Sequence, residues 1–271
     1  MRAAPAVMIA SSLSLYAGAA VAVGLFDQFP PVVVAWLRIA AAALILLVLH
    51  RPGPRSFTRQ AVGYGVATLG MNMTFYEAIA RLPLGTAVAV EFLGPVLVAA
   101  VGSRSVRDWL ALALAAVGVV TISGAVWSTA ATGLLFALAA GAMWAIYIVV
   151  GSRIVGGTGD PRAAMTVGFA SASVLSLPLV WLMWPEDVTM PGTQLLGLAL
   201  GLGVLSAVIP YSLDQVVMRM AGPAGFALLQ ALLPASAAVL GAIMLGQLLS
   251  VAEVLGIALV IAAIVLRRPA G

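Results

Sequence analysis

PVVVAWLRIAAAALILLVL occupies residues 31–49, and one letter breaks an otherwise apolar run: Arg38. Nineteen residues at about 1.5 Å each make a helix of about 28 Å, close to the thickness of a bilayer's hydrocarbon core. A lone ion near the middle of that core costs at least ~2.5–3.5 kcal/mol. Such a residue persists where it faces a polar path, finds a partner or does work. Glu77, Glu91 and Asp214 sit in comparable apolar stretches and raise the same question.

Outward from 31–49 the same pattern repeats. Apolar spans read at 5–26, 31–49, 61–80, 84–102, 107–124, 133–151, 163–184, 193–216, 224–245 and 251–266 account for most of the 271 residues. The chain is 63% hydrophobic and 8% charged, and its short connections leave no room for a soluble domain. The runs are continuous and do not alternate with period two, which argues against a barrel. The expected fold is an all-α membrane protein of ten transmembrane helices, each satisfying its own backbone hydrogen bonds. Arg2 before an apolar run and Ala17-Gly18-Ala19 resemble a secretory signal. The run is long for a signal core, however, and the tenth span requires it.

What the chain lacks narrows its chemistry. It has no cysteine, all 13 cations are arginine, and the one histidine, His50, falls at a helix end. Without cysteine there is no disulfide framework or thiolate metal site. Without lysine there is no Walker A loop and no retinal or pyridoxal Schiff base. No cofactor and no metal are expected. A sequence pI near 10 raises nucleic acid as a partner, but the arginines do not form one patch. Arg2, Arg51, Arg55, Arg59, Arg104, Arg107, Arg153, Arg162, Arg219, Arg267 and Arg268 fall on one side if the N-terminus is cytoplasmic. Arg81 alone falls on the other side, with Asp27, Glu186 and Asp187. This positive-inside asymmetry predicts a multi-pass protein with both termini in the cytoplasm.

The chain also divides, near 125–131, into residues 1–126 and 127–271 with five spans each. Glu91-Phe92-Leu93-Gly94-Pro95 corresponds to Gln230-Ala231-Leu232-Leu233-Pro234, Arg81 to Arg219 and Pro31 to Pro161, at offsets of about 130–139 residues. An odd number of spans per half sets the halves in opposite orientations. Such inverted repeats characterise alternating-access carriers.

Arg38 and Glu91 both lie about seven residues from the outer ends of their spans, a shared depth of roughly 10 Å. Two readings stand. They form an ion pair that fixes packing, or they grip the two ends of a zwitterion, with Arg38 on a carboxylate and Glu91 on an ammonium or a proton. Asn72, Trp144, Tyr147 and Tyr211 are the remaining substrate-binding candidates. Glu77 and Asp214 join Glu91 as proton-coupling candidates, although each lies near a helix end where solvation is an equal reading. Glu253 opens the last span and suits the helix dipole. Pro95, Pro210 and Pro234 interrupt spans and are read as hinges. Gly197 and Gly201 have the spacing of a close helix contact, a pattern too common here to be specific.

Several stretches are familiar in type. GMNMTFYEAIARLPLGTAVAVEFLGPV at 70–96, AGAMWAIYIVVGSR at 140–153, VLSAVIPYSLDQ at 204–215 and, more weakly, AWLRIAAAALIL at 35–46 resemble the drug/metabolite transporter superfamily, EamA type. Within it they are most similar to the bacterial threonine/homoserine exporters. The resemblance covers nearly the whole chain. It implies two inverted five-helix repeats, an inner-membrane setting and secondary active export, driven by protons. Two acids of the family pattern are replaced: Leu233 precedes Pro234, and Gln247 follows Gly246. That leaves Glu91 as the main coupling candidate. The competing readings are export of hydrophobic or cationic amphiphiles on the same fold and, remotely, an intramembrane enzyme. The expected partners are a small-molecule substrate, protons and the lipid bilayer, with oligomeric state left open.

Because the chain has no native cysteine, one introduced residue reports topology cleanly. A cysteine at Ser56 should resist a membrane-impermeant maleimide added to intact cells and react once the membrane is opened. Labelling from outside would reverse the orientation.

Overall fold

The computed structural model describes residues 3–102, 105–155, 160–210, 213, 216–217, 220, 229–230 and 232–266. The elements in order are α1 (Ala4–Val23), α2 (Pro31–Leu49), a 3₁₀ turn (Pro54–Ser56), α3 (Arg59–Ile79), α4 (Leu84–Glu91), α5 (Leu93–Gly102), α6 (Val106–Val155), α7 (Pro161–Leu175), α8 (Leu177–Leu182) and α9 (Gly192–Gly203). A π-helical turn (Val204–Val208), α10 (Leu232–Leu245) and α11 (Val251–Leu266) follow. The described residues contain no strand. Helices Ala4–Val23, Pro31–Leu49 and Ala130–Gly151 are long and apolar enough to cross a bilayer by length and composition, and six further apolar helices run 10–17 residues.

Local chemistry explains where the helices start. Pro30 is extended (ψ 141°), as a residue before proline prefers, and Pro31 opens α2 where its missing N–H costs nothing. The Thr58 hydroxyl accepts from Ala61 N at 3.1 Å and caps α3. Asp160 does the same for α7 through Arg162 N. The cap of α4 comes from the far end of the chain: Gln247 Oε1 accepts from Leu84 N at 2.8 Å.

Eleven α-helices among the described residues, against ten expected spans, reflect proline chemistry and one kink. Pro95 offers no N–H to the carbonyl of Glu91, and the fourth span breaks at Phe92 into α4 and α5. Pro178 accompanies a break at Ser176 between α7 and α8, a hinge not among those read from sequence. Conversely, α6 carries two expected spans through Ala130, whose φ −145° and ψ 34° depart from helix. A continuous helix of 50 residues would reach about 75 Å, far beyond one bilayer core of about 30 Å. Pro210 follows the π-helical turn, and Pro234 lies in the first turn of α10.

Small residues let the helices touch. A Cβ on Gly65 would sit 1.9 Å from the Gly168 carbonyl oxygen, and one on Gly94 would sit 1.9 Å from that of Gly141. Gly118 meets Gly256, and Gly85 meets Ala238. Without a hydrophobic drive between helices in lipid, such backbone approach supplies the packing energy. Gly197 and Gly201 have no neighbour within 4 Å of a built Cβ, so this pair mediates no close contact among the described residues. The main core they enclose draws on nearly every helix and contains the fully buried Tyr76, Phe29 and Phe92, and a second core holds the fully buried Phe169.

Gly94→Ala should therefore lower the melting temperature of the purified protein in detergent, by an overpacking cost of about 1–3 kcal/mol or more. Gly197→Ala, open on all sides, should be neutral or gain up to about 1 kcal/mol. Equal melting of the two variants would reject close packing at Gly94.

Candidate functional site

Three buried acids are treated in three different ways. Glu253 is part of a capping box on α11. Its Oε2 accepts from Ser250 N at 2.9 Å and from Ser250 Oγ at 2.8 Å, while Ser250 Oγ accepts from Glu253 N. Its Oε1 accepts from Thr86 Oγ1 of α4 at 2.7 Å. Glu77 is paired along α3: Arg81 Nη1 donates to its carboxylate and to its backbone carbonyl, and the Arg81 guanidinium lies over Phe136. Glu91, at the last turn of α4 and only 7% exposed, makes no hydrogen bond and no ion pair among the described residues. A buried carboxylate without a partner is costly, which singles out Glu91.

Its position follows from the proline break. Gly141 of α6 lies against the Glu91 carbonyl, where a Cβ would come within 2.7 Å of the oxygen. One helical turn further along α6, Trp144 meets Phe92 edge-to-face at 4.8 Å. The expected neighbours Glu91 and Trp144 thus share the junction of α4 and α5.

Arg38 is 6% exposed. Its Nη1 donates to Asn72 Oδ1 of α3, its Nη2 donates to the Ser206 carbonyl of the π-helical turn, and its guanidinium stands 5.8 Å from the Tyr76 ring. Pro210, four residues beyond Ser206, has no N–H to give that carbonyl. Asn72 is itself oriented by donating through Nδ2 to the Thr68 carbonyl at 2.7 Å. Arg38 and Glu91 form no ion pair within 4 Å. Of the two readings, the structure lacks the bonded pair. Arg38 Nε and Tyr76 Oη are buried and have no hydrogen-bond partner among the described residues.

Tyr147 belongs to a separate cluster. The Tyr64 hydroxyl donates to it at 2.8 Å, their rings lie 4.7 Å apart, and Phe169 stacks on Tyr64. Tyr64 precedes Asn72 by two turns of α3, about 12 Å, toward the end that the arginine pattern assigns to the cytoplasm. Tyr211 and Asp214 lie outside the described residues. Sequence reading missed Tyr64, Thr68 and Ser206. The signals were present: Tyr64, Thr68, Asn72 and Tyr76 recur every four residues on one face of α3, and Ser206 precedes Pro210 by four.

Helices packed through glycine, apolar outer faces and charges held inside define an all-α membrane transporter. The chain belongs to the EamA-like transporter family, whose model matches residues 131–267. It is 34% identical to the threonine/homoserine exporter RhtA of Escherichia coli K12 over 95% of this chain and 88% of the relative. It is 33% identical, with the same coverage, to the protein of that name in Salmonella typhimurium LT2. An uncharacterized transporter, YwfM of Bacillus subtilis, is 32% identical over 47% of this chain and 42% of its own. A solved crystal structure superposes with a TM-score of 0.60 over 98% of this chain and 97% of its own at 19% identity, a likeness of fold.

Removing the Glu253 carboxylate should act on stability alone. Glu253→Ala loses the capping box and strands Thr86, a cost of about 1–2 kcal/mol. Melting should fall by several degrees, while transport per folded molecule stays at the wild-type level. A transport defect out of proportion to folded protein would give Glu253 a role beyond capping.

Proposed function

We propose that this protein exports small α-amino acids of the threonine and homoserine kind, by proton-driven alternating access. One observation carries the reading: Arg38 and Glu91, of opposite charge, both lie buried in the helical core without being bonded to each other. A zwitterion supplies what each lacks. Its carboxylate takes the open N–H groups of Arg38, its ammonium takes Glu91, and the Tyr76 hydroxyl is a third contact. Glu91 holds either the substrate's ammonium or a proton, so release of one accompanies binding of the other. Export against a gradient follows if only the occupied forms reorient. The names of the relatives point to the same substrates.

The carrier geometry in this proposal is ten spans in two inverted halves, 1–126 and 127–271. Its support is the helix pairing. Counting α4 with α5 as the fourth span, α6 as the fifth and sixth, α7 with α8 as the seventh and α9 with its π-helical turn as the eighth, several contacts have a mate five spans on, although the packing of the second span on the third has none of like extent between the seventh and eighth among the described residues. The first packs on the ninth, as the sixth does on the fourth. The third packs on the seventh, as the eighth does on the second. Tyr64 meets Tyr147 between the third and sixth spans, and Gly18 meets Ser206 between the first and eighth. The contacts Trp36–Ser173, Gly85–Ala238 and Gly118–Gly256 join spans that are their own mates. The setting implied is a bacterial inner membrane with both termini cytoplasmic. Pro95 and Pro210 serve as hinges beside Glu91 and Arg38. The resident charge of Arg38, not cancelled by a bonded acid, opposes a cationic amphiphile as substrate.

Proteoliposomes loaded with labelled threonine or homoserine should release it faster when an inward proton gradient is imposed, and a lipophilic cation should not be moved. Glu91→Gln should melt no lower than wild type, since it removes an unpaired buried charge, and should lose at least about tenfold in transport. Wild-type transport by Glu91→Gln at equal protein would reject Glu91 as the coupling group. Cation export without amino acid export would replace the substrate reading.

A further inference from the structure

We infer that Asn72, together with the Ser206 carbonyl, positions Arg38 without neutralising it, and that Asn72 thereby sets selectivity for substrates bearing a carboxylate. The inference rests on the exporter reading and adds a residue and a device to it.

The argument begins with the contrast between two arginines. Arg81, just beyond α3, meets an acid of that helix, Glu77, and its charge is cancelled there. Arg38 is more deeply buried, yet both of its bonded acceptors are neutral: a side-chain amide oxygen and a main-chain carbonyl. Two fixed acceptors and the Tyr76 face hold the guanidinium in one orientation. None of them supplies negative charge. The Nε–H, buried and without an acceptor, leaves part of the planar fork for a ligand, and a carboxylate matches that fork bidentately.

The amide of Asn72 has one workable orientation. Its Nδ2 donates to the Thr68 carbonyl, so Oδ1 faces Arg38, and a flip would bring an NH₂ against a cation. Ser206 is fixed in a similar way: its hydroxyl donates to the Leu202 carbonyl at 2.5 Å, leaving the main-chain oxygen for Arg38. Both acceptors are therefore ordered before any ligand arrives. The carboxylate nearest in chemistry, an aspartate at position 72, would have almost the same size. It would form an ion pair with Arg38 and compete directly with the substrate's carboxylate.

The test uses purified full-length carrier in proteoliposomes, with labelled threonine as substrate and two unlabelled competitors. These are threonine and threoninol, an amino alcohol that keeps the ammonium and replaces the carboxylate. In wild type, threonine should compete and threoninol should not. Asn72→Asp should weaken competition by threonine at least about tenfold, and threoninol should become the equal or better competitor. Asn72→Ala, which loosens Arg38 and keeps its charge, should raise the threonine KM severalfold, leave the maximal rate per folded carrier near wild type and give threoninol no advantage. A folded Asn72→Asp with wild-type preference would overturn the inference and leave the exporter reading standing. So would an Asn72→Ala carrier with unchanged threonine KM, a measurement that remains decisive if Asn72→Asp does not fold. Wild-type carrier that treats the two competitors alike would overturn the exporter reading and this inference with it.

Discussion

A guanidinium buried among apolar helices must be given acceptors by the fold, and those given to Arg38 are uncharged. That constraint shapes much of the molecule. One acceptor lies on α3 and requires α2 and α3 to pack side by side. The other lies on the π-helical turn after α9, so α2 must also lie against the distant second half of the chain. Pro210, four residues on, has no N–H to offer that carbonyl. A helix break, usually counted as a loss of hydrogen bonding, here becomes the means of holding a charge.

The acids show the same economy from the opposite sign. Glu253 is consumed by a cap and a cross-helix hydroxyl, and Glu77 by an arginine one turn away. Neither has capacity left for a ligand or a mobile proton without structural loss. Glu91 makes no bond with the described residues, although its backbone is pinned by Gly94 and Gly141. A rigid backbone with an uncommitted carboxylate is what a group that exchanges partners requires. Glycines are the enabling residues because any side chain at those positions would force the junction of α4 and α5 away from α6.

Much of this was legible in the sequence. The apolar spans could be read because backbone groups in lipid demand helices of a set length, and Arg38 and Glu91 stood out because charge there is expensive. Asn72 was among the candidates, and the structure brings it to Arg38. The failures are equally physical. Spans were read as single helices, whereas proline splits the fourth and seventh, and α6 runs on through the division read near 125–131, with a kink at Ala130. Tyr147 was among the candidates with Arg38, and the structure sets it against Tyr64, two turns of α3 from Asn72. Ser206 was passed over because its functional atom belongs to the main chain, which every residue shares, and only its place four residues before Pro210 marks it.

By itself, then, the sequence determined the class of the molecule: an all-α membrane chain with a few buried charges, because hydrophobicity and charge cost are properties of residues wherever they sit. Which charges are committed was decided only by tertiary structure. Glu77, Glu91 and Glu253 are chemically alike, and their difference lies in whether Arg81, Ser250 and Thr86 come within bonding distance or nothing does. That depends on how helices approach one another through glycine, on where proline frees a carbonyl, and on pairings between residues as far apart as 38 and 206. Hydrogen bonds act over about 3 Å, and only the folded chain specifies distances on that scale.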